Sequence, residues 1–250
     1  MIYLKNAEQL KLMKRAGRIA GEALLLAGEN VRPGVTTKKL DNIIRNYIER
    51  CGAVPSFLGY AGFPASACIS INDEVIHGIP SEGRVLEEGD IVKIDVGAKY
   101  CGYHGDNART FAVGAVSNEA KRLIEVTEAS FYRAIEVIKK EGARIGDIGH
   151  AVESYCAEHG YSVVRRYVGH GVGEELHEEP EVPNFGRSGH GLRLCVGMTI
   201  AIEPMVNTGT GAVIEMPDGW TVRTADGGLS AHYEHTVAIT EEGIILLTQV

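Results

Sequence analysis

Four carboxylates and a histidine carry the chemistry that this sequence suggests. Residues 91–111, IVKIDVGAKYCGYHGDNARTF, place Asp95 and Asp106 in two apolar, strand-like runs separated by a Gly-rich turn over residues 99–105. A symmetric reversal near residues 100–101 sets the two aspartates opposite each other. Opposed side chains lie roughly 5 Å apart at Cβ, where like charges repel. Lys93 is the one cation of the first run, and a single flexible ammonium cannot neutralise both acids. If the pair is buried, a divalent ion between the carboxylates is the economical answer. On the hairpin alone, two solvated aspartates on an open face explain the pattern equally well.

An internal repeat extends the pair. Gly34, Leu40, Ile43, Ile44, Tyr47, Ile48 and Gly52 recur as Gly142, Ile148, Ala151, Val152, Tyr155, Cys156 and Gly160, all 108 residues on. Two amphipathic helices can match by chance, but the same offset carries Leu86, Gly89, Val92, Ile94 and Asp95 onto Leu194, Gly197, Ile200, Ile202 and Glu203. One offset linking a helix to a distant strand points to a duplication. Glu203 then falls inside an apolar strand as the counterpart of Asp95. The return strand of the second hairpin, residues 229–239 (LSAHYEHTVAI), carries Glu234 as the counterpart of Asp106, across a longer arm. Four ionised acids in one interior site need counter-charge. Two divalent cations sharing a water or hydroxide balance them, whereas one cation leaves an excess of negative charge. Four independent surface acids would leave their symmetry-related places in apolar strands unexplained.

Histidines complete the set. His170 lies in GHGVG, where the glycines let the backbone come close to a site. A phosphate-loop reading is weak, because no Lys-Ser/Thr follows and no helix pattern opens there. His77 and His177 each stand three residues before a proline, Pro80 and Pro180, and read as symmetry mates. His104, His150, His159, His190, His232 and His235 have no such partner and are assigned to surface or packing. No HExxH is present. Carboxylates with one imidazole favour hard or borderline ions such as Mn, Fe(II) or Co over a dedicated zinc site.

The elements that must hold these residues follow from periodicity. Asn6 with Gln9 reads as a capping box opening a helix to about residue 28. Thr36 or Thr37 opens a second, with Leu40, Ile43, Ile44, Tyr47, Ile48 and Cys51 on one face. Residues 53–66 form an irregular aromatic loop, and short strands follow at residues 68–71 and 75–76. Ser117 and Asp147 start a second helix pair. The expected fold class is therefore α+β: two similar halves, about 1–115 and 116–250, with helices outside and a shared antiparallel sheet within. A site is expected where the halves meet.

The totals agree. The 250 residues are 44% hydrophobic and 23% charged, ordinary for a globular chain. The net charge of −8 argues against a nucleic-acid binder. Five scattered cysteines without a CxxC fit a reducing compartment. The N-terminus lacks a signal-peptide core, and no run approaches a membrane span. A cytoplasmic monomer, without nucleic-acid or membrane contacts, is expected.

CISINDEVIHGIP, GDIVKIDVG, YHGDNARTF, GHGVGEELHEEP, GMTIAIEPM and SAHYEHTVAIT together resemble the methionine aminopeptidase family, in its short bacterial type I form with the pita-bread fold. The resemblance runs from the first helix to Thr240 and implies one catalytic domain over residues 1–250, without a zinc-finger extension or a type II insertion. It implies Asp95, Asp106, His170, Glu203 and Glu234 as ligands of a dinuclear site, with Asp106 and Glu234 bridging. Two divalent ions (Co, Mn, Fe(II), Ni or Zn) are implied, and their shared hydroxide would attack the first peptide bond. Glu203 is the implied proton shuttle. His177 would bond the tetrahedral intermediate and His77 would orient the amide. Phe57, Tyr60, Phe63, Cys68, Leu176 and Trp220 resemble the pocket for the methionine side chain, although Phe57 and Phe63 depart from the Cys and Tyr often found there. Asn72, Glu74 (by its carbonyl) and Ser230 resemble a site for one monovalent cation. The implied substrates are N-termini of nascent polypeptides bearing initiator methionine before a small residue, and the ribosome is an implied partner. Two other readings stay open: a proline-directed peptidase of the same fold, and a catalytically dead relative acting as a binding module. The first usually carries an extra N-terminal domain, and the second typically loses ligands.

Overall fold

Local chemistry sets the first elements. In the computed structural model, which describes all 250 residues, Asn6 and Gln9 cap each other reciprocally at the start of α1 (Ala7–Glu29). Thr36 Oγ1 accepts from the Lys39 N–H and caps α2 (Thr37–Arg50). The strands of this half are β1 (Val54–Pro55), β2 (Ala67–Ile71), β3 (Glu74–Ile76), β4 (Ile91–Tyr100) and β5 (Tyr103–Ala112).

The second half repeats the plan. Ser117 caps α3 (Asn118–Ile138), and α4 (Ile145–Glu158) follows. Asp147, expected to start that helix, is its third residue and accepts from the Arg144 N–H. Then come β6 (Ser162–Val163), β7 (Gly169–Gly171), β8 (Glu178–Val182), β9 (Thr199–Ile202), β10 (Met205–Asn207), β11 (Val213–Glu215), β12 (Val222–Thr224), β13 (Ser230–His232), β14 (Glu234–Thr240) and β15 (Gly243–Leu246). Helices α2 and α4 begin and end 108 residues apart, as do the starts of β4 and β9.

The main sheet has nine strands in the order β1-β4-β5-β14-β9-β7-β8, with β2 also on β4 and β15 on β14. Its pairs are antiparallel. Helices cover one face. One apolar core joins α1 and α2 to β2 and β4; another joins α3 and α4 to β9 and β14. Helix α1 crosses β5 so closely that both contact residues are glycine. A Cβ on Gly105 would lie 2.4 Å from Gly17 Cα.

Three details differ from the sequence-based expectation. The β4–β5 reversal is a two-residue turn at Cys101 (φ 48) and Gly102 (φ 89), which suits the twist of a hairpin. Asp95 therefore opposes Ala108 and Asp106 opposes Gly97, so the aspartates are diagonal, not directly opposed. The return run 229–239 is two strands broken at Tyr233, with β13 pairing to β10 in a separate three-stranded sheet. Glu203 lies just past β9, before Pro204, instead of inside the strand.

Candidate metal centre

Pairing aligns the acids on one face. Asp95 on β4 and Glu234 on β14 both oppose Ala108 of β5, one from each side. The methyl group of Ala108 leaves open space between two carboxylates. Asp106, two residues earlier on β5, faces the same way because side chains alternate. His235 pairs with Ile202, which brings Glu203 alongside Glu234. His170 sits at the centre of β7, the neighbour of β9.

The distances converge. His170 Nε2 lies 3.8 Å from Asp106 Oδ2 and 3.6 Å from Glu203 Oε1. Its Nδ1 is 2.8 Å from the Gly171 carbonyl. With the proton on Nδ1, the Nε2 lone pair points at the acids, as in a metal-binding imidazole. Thr236 Oγ1 accepts from the Asp106 N–H and donates to the Asp106 carbonyl, both at 2.9 Å, locking that backbone.

Electrostatics make the group unstable as free anions. Asp106 and Glu234 are buried, and Asp95 Oδ1 and Glu234 Oε1 have no hydrogen-bond partner. Burial first, and the neighbouring carboxylates second, push Asp95, Glu203 and Glu234 well above the usual carboxylate range. Burial pushes Asp106 up to about 7 and His170 down to about 3. A cation in the cluster reverses that logic. Ligand atoms of Asp106, His170 and Glu234 lie within 4.8 Å of one another, as do those of Glu203, His232 and Glu234. Orphaned oxygens, an oxygen-rich donor set and a shared Glu234 fit divalent cations of the hard or borderline kind.

The same acids floor a cavity of about 150 Å³. Its lining is Phe57, Tyr60, Phe63, Cys68, Leu176 and Trp220 on the apolar side, then His77, His177 and the five clustered groups Asp95, Asp106, His170, Glu203 and Glu234. The acids, histidines and pocket residues named from the sequence thus meet in one cavity, whereas Asn72, Glu74 and Ser230 lie outside its lining. Phe63 packs edge-on against Trp220 at 5.1 Å. His177 stands at the mouth, 4.1 Å from the His170 ring, with Nδ1 2.7 Å from the Tyr60 hydroxyl. His77 holds φ 60, a strained conformation for a histidine, and burial lowers its pKa to about 4.

Two findings lie outside the sequence reading. Lys93 does not approach the acids; its buried ammonium donates to the Asn72 carbonyl at 2.7 Å, one of the groups expected to face a monovalent cation. Burial lowers its pKa to about 7. His232, assigned to surface or packing, is buried beside the cluster, with Nε2 3.6 Å from Glu203 Oε2. Its place two residues before Glu234 was the available signal.

Comparison with known proteins agrees with this geometry. The profile of Metallopeptidase family M24 matches residues 11–241. The chain is 53% identical to a methionine aminopeptidase of Clostridium acetobutylicum, covering 99% of both chains. It is 49% identical to methionine aminopeptidase 1 of Bacillus subtilis, covering 100% of both. The crystal structure of methionine aminopeptidase from Thermotoga maritima superposes with a TM-score of 0.98 at 42% identity, over 100% of both chains. The fold is the pita-bread fold, and the chain belongs to metallopeptidase family M24. Within that family it is an aminopeptidase of the methionine aminopeptidase type. No helix is long and apolar enough to cross a membrane.

Proposed function

We propose that the enzyme removes initiator methionine from new polypeptides when the next residue is small, using two divalent ions held by Asp95, Asp106, His170, Glu203 and Glu234. The observation that supports this reading is a single cavity joining an apolar pocket to the acid cluster. Its volume is well below the roughly 300–1,000 Å³ of sites for drug-sized ligands, which suits one side chain. A thioether against Phe57, Phe63 and Trp220 gains favourable sulfur–aromatic contact. Asp106 and Glu234, at the centre of the cluster, would face both ions.

Ions bound there supply carbonyl polarisation and a water whose pKa falls from 15.7 toward about 7. The chain's residues do the rest. The apolar pocket holds the methionine side chain and fixes the register of the first peptide bond. Glu203 would take a proton from the attacking water at a carboxylate oxygen and return it to the leaving amine. His177, tied to Tyr60 at Nδ1, presents Nε2 to the oxygen on which charge develops. His77 orients the amide from the opposite wall.

Turnover of Met-Ala-Ser, Met-Leu-Ser and Ala-Pro peptides with added Mn(II) or Co(II) tests the proposal. Fastest release of methionine from Met-Ala-Ser is expected. Faster turnover of the proline peptide overturns it in favour of a proline-directed peptidase, and no turnover with either ion favours a binding module.

A further inference from the structure

Glu203 is held between two imidazoles. Oε1 faces His170 Nε2 at 3.6 Å, and Oε2 faces His232 Nε2 at the same distance. The proposed reaction gives His170 a task and leaves His232 without one. Yet His232 is 1% exposed, and neither ring nitrogen has a hydrogen-bond partner. A buried polar group left unpaired is costly, so a ring with two unpaired nitrogens beside a carboxylate calls for an explanation.

The main chain that carries the ring is fixed. The His232 N–H donates to Thr110 Oγ1 and its carbonyl accepts from the same hydroxyl, both at 2.9 Å. Pairing with Met205 fixes the residue from the other side. Glu203 is less constrained. It follows the last residue of β9 and precedes Pro204, and its main chain is tied through its carbonyl to Asn184 Nδ2 at 2.9 Å. A glutamate at a strand end has three side-chain torsions to settle. Something must aim it if it is to act at one ion.

We propose that His232 is a positioning residue for Glu203, its Nε2–H donating to Oε2 so that Oε1 is left to share an ion with His170. The proposal rests on the metal reading above. It assigns each carboxylate oxygen one imidazole: His170 across the ion, His232 through a hydrogen bond. A gap of 3.6 Å closes to hydrogen-bond length with a small rotation of the carboxylate. Such outer partners orient metal-binding groups, and their loss typically weakens metal affinity by about 10–100-fold.

The test is calorimetric titration of metal-free protein with Mn(II), comparing the native chain, His232→Leu and His232→Gln. The proposal expects His232→Leu to bind as many ions as the native chain, with one of them weakened by about 10–100-fold. His232→Gln, which keeps a donor, recovers most of that loss. For Met-Ala-Ser, kcat falls in the leucine variant while KM changes little. Unchanged affinity in His232→Leu overturns the proposal and leaves the ring as packing. One ion fewer at saturation also overturns it, because His232 would then be a ligand. A native chain that binds no Mn(II) defeats the metal reading itself, a separate result. If His232→Leu does not fold, 15N-histidine NMR of the native chain loaded with diamagnetic Zn(II) decides the matter: a proton on His232 Nε2 supports the assignment, and a bare Nε2 with the proton on Nδ1 overturns it.

Discussion

The two arms that grip the acid cluster are built differently. The first is a regular hairpin: ten consecutive pairs join β4 to β5 around a two-residue turn. Asp95 and Asp106 stand well inside those strands. The second arm is broken. Glu203 follows the end of β9, Glu234 opens β14, and the chain between them runs through β10 to β13 in other sheets. Short aspartates sit where the backbone is fully paired, and longer glutamates sit where strands end. The first arm fixes its carboxylates through the backbone. The second must fix them through side chains, with His170 on one flank of Glu203 and His232 on the other.

That contrast predicts different responses to mutation. The largest effect is expected at the centre. Asp106→Ala should abolish activity and metal binding together, measured by peptide turnover and metal analysis; a variant retaining both ions would show that Asp106 does not bridge. Next, His177→Ala should keep both ions but lower kcat by about 10²–10³, the usual loss for one donor to a developing oxyanion. If that protein arrives metal-free, His177 is a ligand.

A third prediction concerns pH in the metal-free state. Burial raises folded Asp106 to about 7 from the ordinary carboxylate value near 4. A carboxyl group raised on folding contributes most below its unfolded pKa and loses that contribution as pH rises through the folded value. Asp106→Asn removes the titration. Its melting temperature in EDTA should therefore rise relative to the native chain between pH 4 and 7, and a constant difference would refute the shift. The smallest effect belongs to the hairpin turn. Gly102→Ala, at φ 89, should destabilise by about 1 kcal/mol in denaturant titration while leaving metal stoichiometry intact.

Much of this was readable from residue pattern. The 108-residue offset reappears in the bounds of α2 and α4 because the same apolar spacing buries the same helix face in each half. The four acids stood out because each interrupts an apolar strand-like run. The register of the first hairpin was misplaced because a cysteine rarely takes positive φ, so nothing in the local composition marked Cys101 as a turn residue. The second arm hid more. A break at Tyr233 and a change of sheet carry no periodic signal. His232 carries no sequence signal beyond alternation from Glu234, because its partner, Glu203, comes from another strand.

Anomalous diffraction from crystals of the Mn(II)-loaded enzyme tests the central claim most directly. Two peaks are predicted, each bonded to a carboxylate oxygen of Asp106 and of Glu234, with His170 and Glu203 on one and Asp95 on the other. A single peak, or two peaks that share neither Asp106 nor Glu234, would contradict it.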